Sequence, residues 1–91
     1  MSLEICLSEL KKVSSSDLPS YVRNSFGYAH AIMPTNKSRI ESQLLKYEIF
    51  SDPCSSKISF YFVGEIKKFR IRVENDGSIY KEDIILINKN P

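Results

Sequence analysis

The chain has 91 residues and a formal net charge of +2, with 42% hydrophobic and 26% charged residues. These totals predict one small domain over residues 1–91, because a chain of this length has apolar residues for a single core. They exclude a transmembrane helix, since no apolar run reaches about 18 residues. The N-terminus lacks the apolar stretch of a secretory signal, so we expect a cytoplasmic protein.

The first segment, residues 2–13, is predicted to be a helix. Its apolar side chains recur at helical spacing: Leu3, Cys6, Leu7, Leu10 and Val13. A strand with Leu3, Ile5 and Leu7 on one face is the alternative, but it leaves Leu10 and Val13 without a role. A second helix is expected after the break at 14–20 and before Pro34, so that the helical part covers about residues 2–33.

Residues 38–50 carry two competing patterns. Ser38 and Glu41 match a capping box, and Ile40, Leu44 and Tyr47 have helical spacing. The stretch LKYEI alternates strictly between apolar and charged side chains, which favours a strand over 43–50. We take the strand as the prediction.

The remaining chain reads as strands joined by turns. KISFYFV from Lys57 and KFRIRVE from Lys68 alternate with dense aromatic and β-branched content, and the NDG turn at 75–77 predicts a hairpin into SIYKEDIILIN. The predicted fold is therefore α+β, with two N-terminal helices on one face of a three- to four-stranded antiparallel meander over residues 43–88. If the first segment is a strand, a cystatin-like β-α-β-β-β-β arrangement is the alternative.

The sequence offers little for catalysis, so we expect a protein that is not an enzyme and has no metal or cofactor. One histidine and two distant cysteines do not make a zinc set. A dyad of His30 with Cys6 or Cys54 is the weak alternative. Glu82 and Asp83 are adjacent on a predicted strand, so they point to opposite faces.

The strongest local charge lies in residues 57–72, which hold five basic residues and one acidic residue. Lys68, Arg70 and Arg72 alternate with apolar residues, so they share the solvent side of their strand; we call these three the basic strand face. A neighbouring strand with its apolar set buried would expose Tyr61 on the same side. The predicted binding residues are Lys57, Tyr61, Lys68, Arg70, Arg72 and Tyr80.

This composition suits two kinds of partner. An acidic protein surface would be attracted by the basic strand face, which predicts an inhibitor or adaptor. RNA or single-stranded DNA would stack bases on Tyr61 and neutralise phosphates with the cations. The hairpin gives Arg70 a carboxylate partner in either register, Asp83 with a two-residue turn or Glu82 with a three-residue turn, so a solvated strand face is the simplest interpretation. The apolar run IILI at 84–87 predicts a homodimer through an open edge of the last strand.

Overall fold

The computed structural model describes residues 3–88 and contains two α-helices and a six-stranded mixed sheet. Predictions that fall on residues 1, 2 and 89–91 lie outside the described residues. The strands are β1 Leu3–Ile5, β2 Lys11–Val13, β3 Glu48–Ser51, β4 Ile58–Val63, β5 Lys68–Val73 and β6 Ile79–Leu86. The helices are α1 Ser20–Ala29 and α2 Lys37–Leu44. None of the helices in this part of the chain has the length and apolarity needed to cross a bilayer.

The strand order is β1-β6-β5-β4-β3-β2, with β1 parallel to β6 and every other pair antiparallel. The α+β class is confirmed, but the prediction of three or four antiparallel strands is wrong. The two additional strands both come from the N-terminal segment.

The predicted helix over residues 2–13 is also wrong. The segment forms β1, a 3-10 turn at Leu7–Glu9 and β2. Leu7 and Leu10 have the spacing of a helix, but one 3-10 turn places them on the same side equally well. Two sheet edges compete with the helix for the backbone of this segment, so tertiary pairing overrides the local pattern.

Residues 6–10 join opposite edges of the sheet. Five strand spacings in a flat sheet measure about 24 Å, whereas the six steps from Ile5 to Lys11 span at most about 22 Å. The sheet must therefore curl, and the crossing segment closes its inner side. Leu7 and Leu10 pack there against a buried cluster of Phe50, Tyr61, Val63 and Ile84.

The two helices cover the other face of the sheet. From α1, Val22 and Phe26 are fully buried, and Phe26 packs against Phe62 and Phe69 with ring centroids 5.1 and 6.1 Å apart. A Cβ on Gly27 would lie 3.0 Å from Ile40 Cδ1, so the close approach of α1 and α2 requires this glycine.

The segment 38–50 uses both of its patterns in succession. Ile40 and Leu44 are buried on α2, which ends at Leu44. The strand begins at Glu48, so the predicted strand start near residue 43 is wrong by about one helical turn. The chain follows the helical pattern up to Leu44, where α2 ends, and the alternating pattern from Glu48, where β3 begins. Leu45 lies between the two elements.

The NDG turn adopts the three-residue register. Glu74 N donates to Ser78 O at 2.8 Å, Gly77 has φ 89°, and Arg70 pairs with Glu82 across the hairpin. The positive φ explains the glycine, because residues with a Cβ rarely adopt that conformation.

The IILI run of the C-terminal strand is not the open edge that the homodimer prediction requires. Residues Ile84–Leu86 pair with β1, so the backbone edge of the IILI run is occupied within the monomer. Ile84 is buried in the inner cluster, while Ile85 and Ile87 remain exposed.

Candidate binding surfaces

The structure places several of the predicted binding residues in an ion-paired network that lies against a buried ring, since the guanidinium of Arg70 lies 5.9 Å from the ring centroid of Tyr61. The side chain of Tyr61 is 3% exposed and lies in the inner cluster, beneath the crossing segment. The expected exposure of Tyr61 is therefore wrong, because strand alternation identifies the face of a side chain and not what covers that face. Tyr80 is 48% exposed, and the guanidinium of Arg72 lies 4.9 Å from its ring centroid.

The cations of the predicted site are largely paired with carboxylates. Arg70 Nη2 and Nε donate to Glu82 Oε1 at 2.6 and 3.0 Å, and Arg72 Nε donates to the same oxygen at 3.1 Å. Arg72 and Lys57 also form ion pairs with Glu74. The prediction that Arg70 finds a carboxylate across the hairpin is confirmed.

Glu82 is the centre of this network. Its partial burial would by itself raise the pKa of the carboxyl group, but the hydrogen bonds from Arg70 and Arg72 outweigh that effect and hold the pKa below its ordinary value. For Arg70, burial alone would lower the pKa, but its hydrogen bonds and attraction to Glu82 raise it. The network keeps these groups ionised and uses much of their charge inside the molecule.

A different surface lies at the end of the sheet, where β4 turns into β5. The turn is closed by Gly64 N donating to Lys67 O at 2.9 Å. Ile66 at its tip is 92% exposed, and Leu45, which follows α2, is 83% exposed. Both line one hollow of about 700 Å³.

Lysines surround these two aliphatic side chains. Lys46 and Lys67 line the same hollow, and within residues 3–88 neither forms an ion pair. Lys67 and Lys68 line an adjoining hollow that also includes Ile66. Leu45, Lys46, Ile66, Lys67 and Lys68 form what we call the turn-end surface. Its one neighbouring acid in the first hollow is Glu65, so the local charge is positive.

Hydrogen bonds of His30 hold the floor of the turn-end surface in place. His30 Nδ1 lies 3.0 Å from the carbonyl of Phe26, which can only accept, so Nδ1 carries a hydrogen. In neutral His30 the other nitrogen then accepts from the hydroxyl of Tyr47 at 2.8 Å. Burial raises the pKa of Tyr47. A Cβ on Gly64 would lie 2.9 Å from Cε2 of the Tyr47 ring, which explains the glycine at this turn.

The residues considered for catalysis are not assembled into a site. His30 lines the two hollows at the end of the sheet, whereas Cys6 and Cys54 line another hollow near Tyr61. Within residues 3–88 there is no disulfide and no group of three or more side chains suited to a metal ion. Glu82 and Asp83 point to opposite faces of β6, as alternation predicts.

The two aliphatic residues of the turn-end surface, Leu45 and Ile66, are not among the binding residues predicted from the sequence. The alternation of LKYEI predicts a strand with Leu45, Tyr47 and Ile49 on one side, so Leu45 has no expected exposure of its own. Ile66 did carry a signal, since a large aliphatic residue inside a four-residue turn has little core within reach. No protein-family model, curated protein or solved structure matches this chain.

Proposed function

We propose that this protein is a small, non-enzymatic binding protein of the inhibitor or adaptor kind, which docks on an acidic partner protein through the turn-end surface. The observation that carries the proposal is the exposure of Leu45 and Ile66 in one hollow, next to Lys46 and Lys67, which form no ion pair within residues 3–88. This arrangement places two apolar anchor side chains beside positive charges that can attract an acidic partner.

The energetics support docking at this place. Burying one aliphatic side chain contributes roughly 1.5–3 kcal/mol, so the two anchors supply a substantial part of a binding energy. Anchors of this kind are effective when they fill pockets in the partner and polar groups surround them. Lys46, Lys67 and Lys68 would accelerate the encounter with an acidic surface and select against basic ones.

The basic strand face is a weaker candidate for the same function. Arg70 and Arg72 already satisfy Glu82 and Glu74, so a partner would have to compete with existing ion pairs. Nucleic-acid binding loses the stacking ring that motivated it, because Tyr61 lies in the inner cluster. That function would instead have to use the lysines of the turn-end surface.

The test is a pull-down from a native lysate, with and without nuclease, using wild type and the Leu45→Gln/Ile66→Gln double variant. Met33→Gln is the matched control, because Met33 is also exposed but lies outside the turn-end surface. We expect a specific protein that survives nuclease, is lost with the double variant and is retained by the control. A Lys46→Glu/Lys67→Glu variant should slow association with that protein.

Three results would contradict the proposal. Retention of the same protein by the double variant would mean that the aliphatic anchors are not the contact. Retention of material that disappears with nuclease, with a steep loss of affinity as salt rises, would indicate nucleic acid. Absence of any specific protein with wild type would leave the turn-end surface without a docking role.

A further inference from the structure

A second surface lies along β6, and its Lys81 and Asp83 line the hollow that also includes Ile66, Lys67 and Lys68 of the turn-end surface. Strand β6 pairs with β5 over Ile79–Asp83 and with β1 over Ile84–Leu86. On the side away from β5, residues 79–83 therefore have no neighbouring strand within the described part of the chain. We call Ile79–Asp83 the open edge.

The hairpin bond fixes which backbone groups this edge presents. Glu74 N donates to Ser78 O, and the direction of backbone groups alternates along an antiparallel pair, so Tyr80 and Glu82 bond to β5. The N–H and C=O groups of Ile79 and Lys81, and the N–H of Asp83, then point outward. Farther along the same side, Ile87 N donates to Ile5 O at 2.9 Å, as the alternation requires.

A groove runs between the open edge and α1. It has a volume of about 310 Å³ and is lined on the helix side by Ser25, Tyr28 and Ala29, and on the sheet side by Ile79 and Lys81. Tyr28 is 60% exposed, and Ile79 is also exposed. Ile79 and Lys81 pair with β5 residues whose side chains face the helices, so both side chains lie on the groove side.

We propose that the open edge takes an extended peptide segment of a partner protein as an additional antiparallel strand. Outward backbone donors and acceptors at strand spacing are matched by another extended backbone, and the groove beside them accepts alternate side chains. Antiparallel pairing is favoured because it is slightly more stable for each residue than parallel pairing.

The side chains of the edge predict the sequence of that peptide. On the groove side, an antiparallel strand meets Asp83, Lys81 and Ile79 in that order. Opposite charges across a strand pair stabilise it and like charges destabilise it, so the expected pattern is basic-x-acidic-x-apolar. The apolar residue would also reach Tyr28 across the groove. Lys81 Nζ and Asp83 Oδ1 lie 3.6 Å apart and form an exposed ion pair on the edge. A strand with a carboxylate opposite Lys81 and a cation opposite Asp83 extends this pair, whereas a strand with the reverse charges meets like charges, so the edge is selective.

A second copy of this chain fits the edge poorly. Two-fold pairing centred on Tyr80 would bring Asp76 of the copy opposite Ile84, and that place is occupied by Leu3 of β1. Pairing centred on Lys81 would set two lysines directly opposite each other and again bring the turn of the copy onto β1. A separate peptide segment that ends or bends away after five residues avoids both the clash with β1 and the two facing lysines.

The test selects from a displayed library of random ten-residue peptides on the wild-type protein, followed by synthesis of the enriched peptide. We expect enrichment of the basic-x-acidic-x-apolar pattern. On binding, amide exchange should slow at Ile79, Lys81 and Asp83, and should not change at Tyr80 and Glu82, whose amides already bond to β5. The Leu45→Gln/Ile66→Gln variant should bind the peptide as wild type does, which separates this test from that of the proposed function.

Two matched pairs of changes sharpen the result. Lys81→Pro removes an outward N–H that β5 does not use, whereas Lys81→Gln removes the charge alone; we expect about tenfold weaker binding for proline than for glutamine. N-methylation of the acidic residue in the peptide should weaken binding about tenfold, and N-methylation of the next residue about twofold or less. The peptide pair needs no change to the protein, so it decides the question even if Lys81→Pro does not fold.

Several outcomes would overturn the inference. They are a library without an enriched pattern, a peptide whose binding slows exchange elsewhere than at the open edge, and equal effects of the two N-methylations. Self-association of the wild-type protein that protects the same three amides without peptide would replace the peptide with a second copy.

Discussion

Tyr61→Ala is the substitution that tests the covered inner face of the sheet most directly. Tyr61 is 3% exposed and packs in the inner cluster, so removal of its ring should lower the free energy of unfolding by about 3–5 kcal/mol. On an exposed face the same change would cost about 0.5 kcal/mol. Tyr80→Ala provides the comparison, since Tyr80 lies in the same sheet but is half exposed; we expect a loss of about 1 kcal/mol or less.

The assay is urea denaturation followed by circular dichroism, with wild type and both variants at one pH. If Tyr61→Ala is too unstable to fold, a double-mutant cycle with Tyr61→Leu and Leu10→Ala replaces it. Leu10 packs against the cluster that contains Tyr61, so we expect a coupling of about 0.5 kcal/mol or more. Equal losses for Tyr61→Ala and Tyr80→Ala, or zero coupling in the cycle, would show that residues 6–10 do not cover the inner face.

Three further predictions concern single groups. Gly64→Ala should lower the free energy of unfolding by about 1–3 kcal/mol in a urea melt, because the new methyl group would press on Tyr47; an unchanged midpoint would contradict the packing at this turn. The pKa of Glu82 lies below its ordinary value of 4.5, so the stability it contributes is complete above that pH and lost as the pH falls through the lower native pKa. Glu82→Gln should therefore flatten the fall in urea midpoint between neutral and acid pH, and parallel profiles for variant and wild type would refute this role. Cys54 is exposed and should react with a thiol reagent in the native protein, whereas buried Cys6 should react only on unfolding; equal native rates would contradict the burial of Cys6.

Several parts of the fold follow from short-range patterns. The alternation of KISFYFV and KFRIRVE produces β4 and β5, because period-two patterning places one set of side chains on a core face wherever the strand lies. The NDG turn predicts the hairpin and a carboxylate opposite Arg70, since a glycine that adopts positive φ marks a tight turn, and the structure selects the register that pairs Arg70 with Glu82. Phe26 and Val22 are buried because their helical spacing holds in any context that covers one side of α1.

The candidate surfaces depend on longer-range relations. The basic strand face was predicted from local charge, but Glu82 reaches Arg70 and Arg72 through the hairpin pairing. Glu74, two residues after Arg72, pairs with Arg72 and with Lys57. Leu45 is exposed because α2 ends one residue earlier and β3 begins at Glu48, and two overlapping patterns do not show where one stops. The open edge exists because β1 pairs with only three of the eight residues of β6. This pairing joins opposite ends of the chain, so no local pattern predicts it.

The sequence by itself determined the α+β class, the central strands, the hairpin turn with a carboxylate opposite Arg70, and the helix before Pro34, because each depends on residues that are neighbours along the chain. The choice between Asp83 and Glu82 as that carboxylate was made only by the structure. Only the tertiary structure decided that residues 3–13 form two edge strands, that Tyr61 is buried, and that Leu45 and Ile66 are exposed. The free energy of the N-terminal segment depends on sheet edges formed by residues 48–51 and 84–86, far away in sequence. Its local helical spacing is outweighed by backbone pairing and by the apolar inner face that it covers.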